Sequence, residues 1–288
     1  MTAHAQEASR GDRFEFGANW ARFLSLVNED RIAQAENSLK DMLGVSNLQG
    51  KRFLDIGSGS GLFSLAARRL GGVVHSLDYD PKSVGCTQEL KRRYFAGDGL
   101  WLIEKGSVLD RAYLARLGQF DVVYSWGVLH HTGAMWQALE NVAPLVADGG
   151  QLFIAIYNDQ GTWSKRWRVL KRIYNVLPRF ARKPYALTVM APRELKFLAI
   201  FILKGRPWGY FSNILNYSKH NPRGMSYWHD LIDWIGGYPF EVATLDTIFH
   251  FYRDRGFVLS RLHSCYAGGH GCNEFVFVRG SRLKGDEA

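Results

Sequence analysis

The sequence predicts an α/β fold: a doubly wound, mostly parallel sheet with an α-rich insertion after its fifth strand. Short apolar segments alternate with amphipathic ones over about 105 residues, from 52 to 157. The short segments are apolar at nearly every position, as expected for parallel strands that are covered on both faces. A segment of different composition follows, and two further strand patterns lie near the end of the sequence.

The predicted elements follow in order along the chain. Residues 20–43 have apolar side chains spaced by three and four, which predicts an amphipathic helix that ends at Gly44. Apolar runs, glycine pairs and Pro81 then predict strands at 52–56, 73–77, 101–105, 120–125 and 151–157, with helices at 61–70, from 81, and at 134–146. A helix at 244–255 and strands at 257–262 and 274–279 return the chain to the sheet.

The composition excludes several classes of protein. The chain has 288 residues, of which 47% are apolar and 22% charged, so it has the balance of a globular protein and not of a disordered one. Three cysteines are too few for a disulfide scaffold and suit a reducing compartment. The N-terminal residues lack the apolar core of a signal peptide, and no apolar run approaches the about 20 residues of a membrane span. We therefore expect a cytoplasmic protein.

The positive charge is concentrated in one segment. Fourteen basic residues and one acid lie between Gln160 and Arg223, a net charge of +13 that leaves −4 for the rest of a chain whose total is +9. Five of the eight prolines lie there as well. These shifts predict four parts: an N-terminal helical cap (1–49), a core (50–157), a basic, aromatic lid insertion (158–240) and a C-terminal helix with the last two strands (241–288).

A glycine-rich turn follows the first predicted strand. Glycines in the run from Asp55 to Gly61 (DIGSGSG) let the backbone turn sharply and let a ligand approach the main chain. A dinucleotide-binding turn would read G-x-G-x-x-G, but here the third glycine comes one residue early and an acid precedes the first by two. Asp78 ends the second strand, where a carboxylate can accept both hydroxyls of a ribose, and Asp80 is the alternative because a small change in strand length exchanges the two.

The D-x-G-x-G-x-G turn resembles motif I of the class I methyltransferases that use S-adenosylmethionine (SAM), which have a Rossmann-like fold. Leu129-His130-His131 resembles the L-x-H segment of the small-molecule group of types 11 and 12, which includes quinone-biosynthesis O-methyltransferases. The resemblance covers residues 50–157 well and residues 240–280 in outline. It implies SAM as the cofactor and a SAM-binding core at 50–157. The cofactor residues that it implies are Asp55, Gly57, Ser58, Gly59, Gly61, Asp78, Tyr79, Ser107, Val108, Ser125 and Trp126.

The resemblance also implies a role for several of these residues. The acid at the position of Asp55 takes part in holding the SAM ammonium group, often through water, and Asp78 binds the ribose. Many relatives have Asp where this chain has Ser107, so we expect the adenine contact here to come from the backbone of Val108. In relatives an N-terminal segment often closes over SAM, a role for Phe16 and Trp20 that competes with simple packing.

Candidate catalytic residues lie where the fourth and fifth strands end. An oxygen nucleophile usually needs a base that takes its proton, and histidine has the suitable resting pKa. The candidates are His131, His130 and Tyr157, with Asp159, His220 and His229 as further possibilities. A structural role for His130 and a helix-cap role for His131 remain open.

The insertion predicts the substrate class. Residues 163–177 form a basic amphipathic helix with aromatic residues on another face. We expect a small substrate that is anionic or lipid-linked, and peripheral contact of residues 163–206 with the inner face of a membrane. The substrate-binding candidates are Trp163, Lys165, Arg168, Tyr227, His229 and Glu241, the last with a helix-terminus role near Thr244 as the alternative.

Two other readings of the function remain open. Aromatic residues interleaved with cations also suit an RNA substrate, but N-P-P-Y after the fourth strand and a Pro-Cys nucleophile, both common in nucleic-acid methyltransferases, are absent. The second alternative is a protein that has the SAM-binding fold but no activity, and whose insertion binds a membrane or a partner. We expect no metal site: His263, Cys265, His270 and Cys272 lack a usual zinc spacing and indicate a hairpin turn instead.

Overall fold

Seven strands form one sheet in the described part of the chain. In a computed structural model, residues 3–17, 20, 24–217, 227–265 and 271–280 are described, with only the backbone for residues 228–230 and 233. The strands are β1 (Arg52–Ile56), β2 (Val73–Asp78), β3 (Trp101–Lys105), β4 (Phe120–Trp126), β5 (Val146–Tyr157), β6 (Phe257–His263) and β7 (Cys272–Arg279). Their order is β3–β2–β1–β4–β5–β7–β6, and β7 alone runs antiparallel to its neighbours. The predicted fold class is confirmed.

The chain order reverses between β1 and β4. β1 pairs in parallel with β2 on one side and with β4 on the other. In an open parallel sheet, such a switch point leaves a crevice at the carboxyl ends of the strands, where ligands bind. The residues that follow β1, β2 and β4 therefore meet at one edge of the sheet.

Helices cover both faces of the sheet. They are α1 (Ala3–Arg10), α2 (Glu29–Leu43), α3 (Leu62–Arg69), α4 (Pro81–Tyr94), α5 (Arg111–Ala115), α6 (Met135–Val142), α7 (Thr162–Val176), α8 (Arg179–Leu203), α9 (Pro207–Leu215), α10 (Tyr227–Gly236) and α11 (Leu245–Arg253). Neighbouring residues of β1 serve opposite faces: Phe53 packs with α2, α3 and α4, and Leu54 packs with α6 and α11. The strand is buried on both sides because its side chains alternate.

Two predicted helices differ from the observed ones. The helix predicted over 20–43 begins at Glu29, because Asn28 is extended and its side chain accepts a hydrogen bond from the N–H of Arg31, as an N-cap residue does. The helix predicted over 134–146 ends at Val142, because Pro144 cannot continue it. Strand β5 consequently starts at Val146, five residues earlier than predicted, and Val146 pairs with Phe120.

Residues 158–240 contribute α7 to α10, which we call the helical insertion. A third apolar cluster joins these helices to the N-terminal segment, with Phe14 packed among Tyr174, Met190 and Leu231. Helix α1, which the sequence patterns did not predict, precedes Phe14. Within the described residues, no helix has both the length and the apolarity that crossing a bilayer requires.

Candidate functional site

A cavity of about 1220 Å³ opens at the carboxyl ends of β1, β2, β4 and β5, beneath α1 and the helical insertion. We call it the central cavity. It brings together thirteen of the residues predicted for the site: Asp55, Gly57, Ser58, Gly59, Asp78, Tyr79, Ser107, Val108, Trp126, His131, Tyr157, Trp163 and Tyr227. Phe16 and Trp20 of the N-terminal segment line it as well.

The glycine-rich turn needs glycine for steric reasons. Gly57 and Gly59 have φ angles of 80° and 56°, a region that residues with a Cβ rarely adopt. A Cβ on Gly57 would lie 2.5 Å from the side chain of Val128, and one on Gly59 would lie 3.1 Å from the ring of Trp20. The turn therefore leaves no room for a side chain at these two positions, and its backbone forms part of the cavity wall.

Asp55 is a buried carboxyl group in the wall of the cavity. Its side chain accepts a hydrogen bond of 2.5 Å from the hydroxyl of Ser64. Burial raises its pKa to about 7, against the lowering effect of that hydrogen bond, and nearby Asp78 adds to the rise. A cation next to Asp55 would offset this cost, because it favours the ionised form.

Asp78 and Asp80 have different partners. The carboxylate of Asp78 accepts hydrogen bonds from the N–H groups of Gly59 and Asp80, at 2.9 Å and 2.8 Å. Burial raises its pKa to about 6, although these hydrogen bonds act against the rise. Asp80 instead caps α4 through the N–H of Lys82 and holds the N–H of Gly17, both at 2.9 Å. Both oxygens of Asp80 are thus used within the fold.

Besides Phe16 and Trp20, the N-terminal segment contributes three lining residues that the sequence patterns missed: His4, Glu7 and Arg13. Glu7 accepts hydrogen bonds from Arg13 at 2.6 Å and from the hydroxyl of Tyr79 at 3.2 Å. Arg13 also donates to the carbonyl oxygens of His131 and Thr132. The sequence around these three residues is polar and contains no motif, so their place at the site can be recognised only from the folded structure.

Three predicted cofactor residues have evident structural partners. The hydroxyl of Ser125 is buried and donates to the carbonyl of Ile56, which ties β4 to β1, and Ser125 does not line the cavity. Gly61 also lies outside the lining, and a Cβ there would lie 2.8 Å from the backbone of Thr87. Ser107 does line the cavity, and its hydroxyl accepts a hydrogen bond from the N–H of Leu109.

His131 lies in a short 3₁₀ turn after β4 and faces the cavity. Its Nδ1 lies 2.6 Å from the carbonyl oxygen of Pro239. Because a carbonyl oxygen only accepts, Nδ1 carries the proton, and in the neutral ring Nε2 has the lone pair. The rings of Phe16 and Tyr157 lie 4.9 Å and 5.4 Å from it. The arrangement holds a basic nitrogen at a defined position in a largely apolar space.

His130 is fully buried and does not line the cavity. Its ring packs 4.1 Å from that of Tyr157, and its carbonyl oxygen accepts the N–H of Glu241. Of the two successive histidines of this 3₁₀ turn, His131 lines the cavity and His130 does not, and the catalytic role of His130 stays a prediction. His130 supports Tyr157, which does line the cavity.

The residues of α7 that face the cavity differ from those predicted. Trp163, Arg166, Trp167 and Leu170 line it, at the spacing of three and four that defines one helix face. Lys165 and Arg168, which were also predicted for the substrate, lie off this face, and their role stays a prediction. The side chain of Arg168 instead donates to the carbonyl of Phe240 at 3.2 Å.

Glu241, also predicted to bind the substrate, has a hydrogen-bond partner within the fold. Its carboxylate accepts the N–H of Met135 at 3.0 Å and thereby caps the N-terminus of α6, and it does not line the cavity. Burial raises the pKa of this carboxyl. The alternative prediction was that Glu241 lies at the end of the helix near Thr244. That helix, α11, is capped by the hydroxyl of Thr244 instead, and Glu241 caps α6.

The remaining candidates lie outside the cavity or outside the described residues. Asp159 accepts the N–H of Gly161 and does not line the cavity. His220, His270 and the side chain of His229 lie outside the described residues. β6 and β7 pair as an antiparallel hairpin in which His263 lies opposite Glu274, which confirms the hairpin predicted for that segment.

Part of the chain is similar to known methyltransferases. Residues 54–152 match a family model described as a methyltransferase domain. The chain is 30% identical over 135 residues to a ubiquinone biosynthesis O-methyltransferase of Caulobacter sp. (strain K31), covering 47% of this chain and 51% of that protein. It is 33% identical over 165 residues to a protein of the same name from Sinorhizobium medicae (strain WSM419), covering 53% and 64%.

A solved structure shares the fold over nearly the whole chain. The magnesium protoporphyrin IX methyltransferase from Synechocystis PCC 6803, solved with bound SAH, has a TM-score of 0.54 and 16% identity, and the match covers 95% of this chain and 99% of that one. The likeness therefore includes the sheet and its flanking helices. The chain spans only 51% to 64% of the length of the curated relatives above.

Proposed function

Residues 54–152 belong to a class I SAM-dependent methyltransferase domain, and we propose that the whole chain transfers a methyl group from SAM to an oxygen of a small substrate. The predicted family, its cofactor SAM and the enzyme class are confirmed at the level of this domain. One observation carries the proposal: the glycine-rich turn, Asp78 and His131 line the same cavity at the switch point of the sheet. Methylation of RNA, or no methyl transfer at all, would contradict the proposal.

The cavity wall suits the groups of SAM. Asp55 would receive the ammonium group, which would offset the burial that raises the pKa of this carboxyl to about 7. Asp78 would receive the ribose hydroxyls from its place at the end of β2, whereas Asp80 caps α4 and holds the N-terminal segment through Gly17. The bare backbone at Gly57 and Gly59 would lie against the amino acid portion.

His131 would take the proton of the acceptor hydroxyl. Bound SAM supplies a methyl group on a sulfonium, which is already a good leaving group, so the protein mainly has to position and desolvate the nucleophile. With Nδ1 donating to the carbonyl of Pro239, Nε2 of the neutral ring is the basic nitrogen. Tyr157, whose ring lies 5.4 Å away, would orient the acceptor.

The choice of oxygen over nitrogen rests on this base and on the relatives. An oxygen acceptor needs its proton removed, whereas an amine mainly needs to be held in its neutral form. The curated relatives reported above are named as O-methyltransferases. Both points favour an oxygen acceptor.

A test with an extract would decide whether the chain has this activity. The chain is incubated with isotopically labelled SAM and a metabolite and lipid extract, or in parallel with bulk tRNA, and labelled products are identified by mass spectrometry. We expect label in a small molecule, and a loss of about 100-fold or more in rate for His131→Gln, the range that general bases contribute. His250→Gln, on the outer helix α11, is the matched control. Label in tRNA alone, or no label with any extract, would contradict the proposal.

The helical insertion would bring the protein to an anionic membrane surface, through residues 163–206. Phe180 and Leu203 are 83% and 86% exposed there, beside Lys183 and Lys204. Exposed apolar side chains among cations favour binding to anionic lipid interfaces. Such contact would also suit a lipid-linked substrate.

Vesicle sedimentation tests this contact. We expect binding to vesicles of phosphatidylcholine with about one third phosphatidylglycerol, and little binding to phosphatidylcholine alone. Phe180→Ser with Leu203→Ser should reduce the bound fraction, whereas Leu100→Ser with Leu102→Ser, also exposed but on the core, should not. Equal binding to both kinds of vesicle would contradict the electrostatic part of the proposal.

A further inference from the structure

We propose that the mouth of the central cavity binds an anionic group of the substrate, at the opposite end from the methyl-accepting oxygen. The mouth is the part of the lining that is open to solvent, formed by α7 and α8: Trp163, Arg166, Arg193, Lys196 and Phe197. This inference rests on the proposed function, since it locates the acceptor beside His131. In this proposal, the cations of the mouth select the substrate, and the substrate carries its anionic group and its hydroxyl at opposite ends.

The cations at the mouth are incompletely neutralised. Glu194 is the only acid between residues 160 and 223. Its carboxylate lies 3.9 Å from the Arg193 guanidinium and also accepts the hydroxyl of Tyr210 at 2.9 Å. Neither Arg166 nor Lys196 has a carboxylate of the described residues within 4.0 Å. Positive charge thus remains available for a ligand.

Aromatic rings hold two of these cations at the rim. The guanidinium of Arg166 lies 4.8 Å from the ring centroid of Trp163, and that of Arg193 lies 5.5 Å from the ring centroid of Phe197. Such stacking orders a guanidinium while its N–H groups stay available for hydrogen bonds. Arg193 and Lys196 are three residues apart on α8, so they lie on the same face.

A row of aromatic rings separates the mouth from the candidate base. The ring centroid of His131 lies 5.4 Å from that of Tyr157, which lies 5.2 Å from that of Trp234. Trp234 in turn lies 5.7 Å from Trp167, the neighbour of Arg166 in the chain. Leu170, Met190 and Leu231 complete this middle part of the lining. A ligand that reaches from the base to the rim must therefore present an apolar body in between.

Among the described residues, the inner end offers no comparable place for an anion. Arg13 is the cation that lines the cavity there, and it is engaged by Glu7 and by the carbonyls of His131 and Thr132. The carboxyl groups of Asp55, which is buried, and Asp78 lie in the same part of the wall. The arrangement therefore selects an amphiphile with a hydroxyl at one end, an apolar or aromatic body, and an organic anion such as a carboxylate at the other end.

Two isomeric probes test the separation of the groups. Calorimetry on the full chain, saturated with S-adenosylhomocysteine (SAH), measures the Kd of 6-hydroxy-2-naphthoate, whose hydroxyl and carboxylate lie at opposite ends, and of 3-hydroxy-2-naphthoate, in which they are adjacent. We expect the first to bind at least about fivefold more tightly, the upper range of one exposed ion pair. Equal affinities, or no binding of either isomer to the SAH complex, would overturn the inference.

Variants identify the cations that are responsible. Arg193→Gln with Lys196→Gln should weaken 6-hydroxy-2-naphthoate by about fivefold and leave the adjacent isomer unchanged. Lys204→Gln with Arg206→Gln removes the same charge nearby, outside the cavity lining, and should change neither Kd. An equal loss in both pairs would refute a specific site. Unchanged SAH affinity shows that each variant is folded, and failure of the wild type to bind SAH would instead refute the proposed function.

Discussion

Two carboxyl groups at the switch point of the sheet are buried at a cost to stability. Burial raises the pKa of Asp55 to about 7 and that of Asp78 to about 6, both well above the ordinary value of 3.8. Unfolding restores the ordinary value, so between about pH 4 and pH 7 the folded protein binds protons that the unfolded chain has released. Perturbed pKa values of this kind cluster at functional sites, which supports the proposed roles of Asp55 and Asp78 in binding SAM.

The pH dependence of stability is the first prediction. Because the folded state holds the extra proton, the free energy of unfolding without ligand should fall as the pH rises from about 4 to about 7. Asp55→Asn should reduce this fall in the free energy of unfolding by an amount on the order of 2 kcal/mol between pH 5 and pH 7. The variant can keep its hydrogen bond, because the hydroxyl of Ser64 can still donate to the amide oxygen. Urea unfolding at both pH values measures it, and an identical slope in the variant would contradict the assigned pKa.

The affinity for SAH tests the role of Asp78 in cofactor binding. Asp78→Asn should weaken SAH by about tenfold or more, because a neutral amide accepts hydrogen bonds from ribose hydroxyls less strongly than a carboxylate. Asp110→Asn makes the same change at the exposed N-cap of α5 and should leave the affinity unchanged. Calorimetry gives both values, and a normal affinity in Asp78→Asn would exclude this residue as the ribose acid.

Helix ends decide several features at the scale of the elements. Asn28 starts α2, and Asp80 starts α4 while holding the N-terminal segment through Gly17. Glu241 caps α6 from more than 100 positions along the chain, at Met135. Helix α6 has no capping side chain of its own at Ala134, so the partner has to come from a distant part of the chain.

Glu241→Gln tests that cap. Losing the charge at the N-terminus of α6 should lower the free energy of unfolding by about 1 kcal/mol without changing SAH affinity. Glu140→Gln, near the other end of α6 and in an exposed ion pair with Arg111, should cost less than about 0.5 kcal/mol. Denaturant unfolding of the two variants makes the comparison. A drop in SAH affinity without loss of stability would instead return Glu241 to the site.

At the scale of the whole molecule, the N-terminal segment joins the core to the helical insertion. It reaches the core through Asp80 and Tyr79, and Phe14 packs against the insertion. Arg13 lies at the centre of these contacts, since it bonds Glu7 and two carbonyls of the turn that carries His131. The cavity therefore exists only when three separate parts of the chain are assembled.

Hydrogen exchange can test this closure. Arg13→Gln should speed amide exchange in residues 3–17 by about fivefold, the effect of losing about 1 kcal/mol of hydrogen bonding. Arg10→Gln removes an exposed charge three residues away and should leave exchange as in the wild type. Unchanged protection in Arg13→Gln would show that packing of Phe14 alone holds the segment.

Much of the core was predictable from local patterns. Strands β1 and β3 have the predicted bounds, because apolar runs between glycines are strong local signals. Asp55, Gly57 and Asp78 could be placed at the cavity because a tight turn and a strand end restrict the residues that fit there. Local patterns do not show which face of α7 meets the cavity, what Glu241 caps or where His130 lies, because distant residues decide these features.

The sequence by itself determined the type of sheet, the glycine-rich turn and the family, because each depends on residues that are neighbours in the chain. Only the tertiary structure decided which cations of the insertion face the cavity, since every face of α7 carries positive charge and packing alone chooses Arg166 over Lys165. It also brought Arg13 to the turn of His131, 118 positions away. Hydrogen bonds and burial between distant segments leave no periodic trace in a sequence, so these residues become recognisable only when the chain is folded.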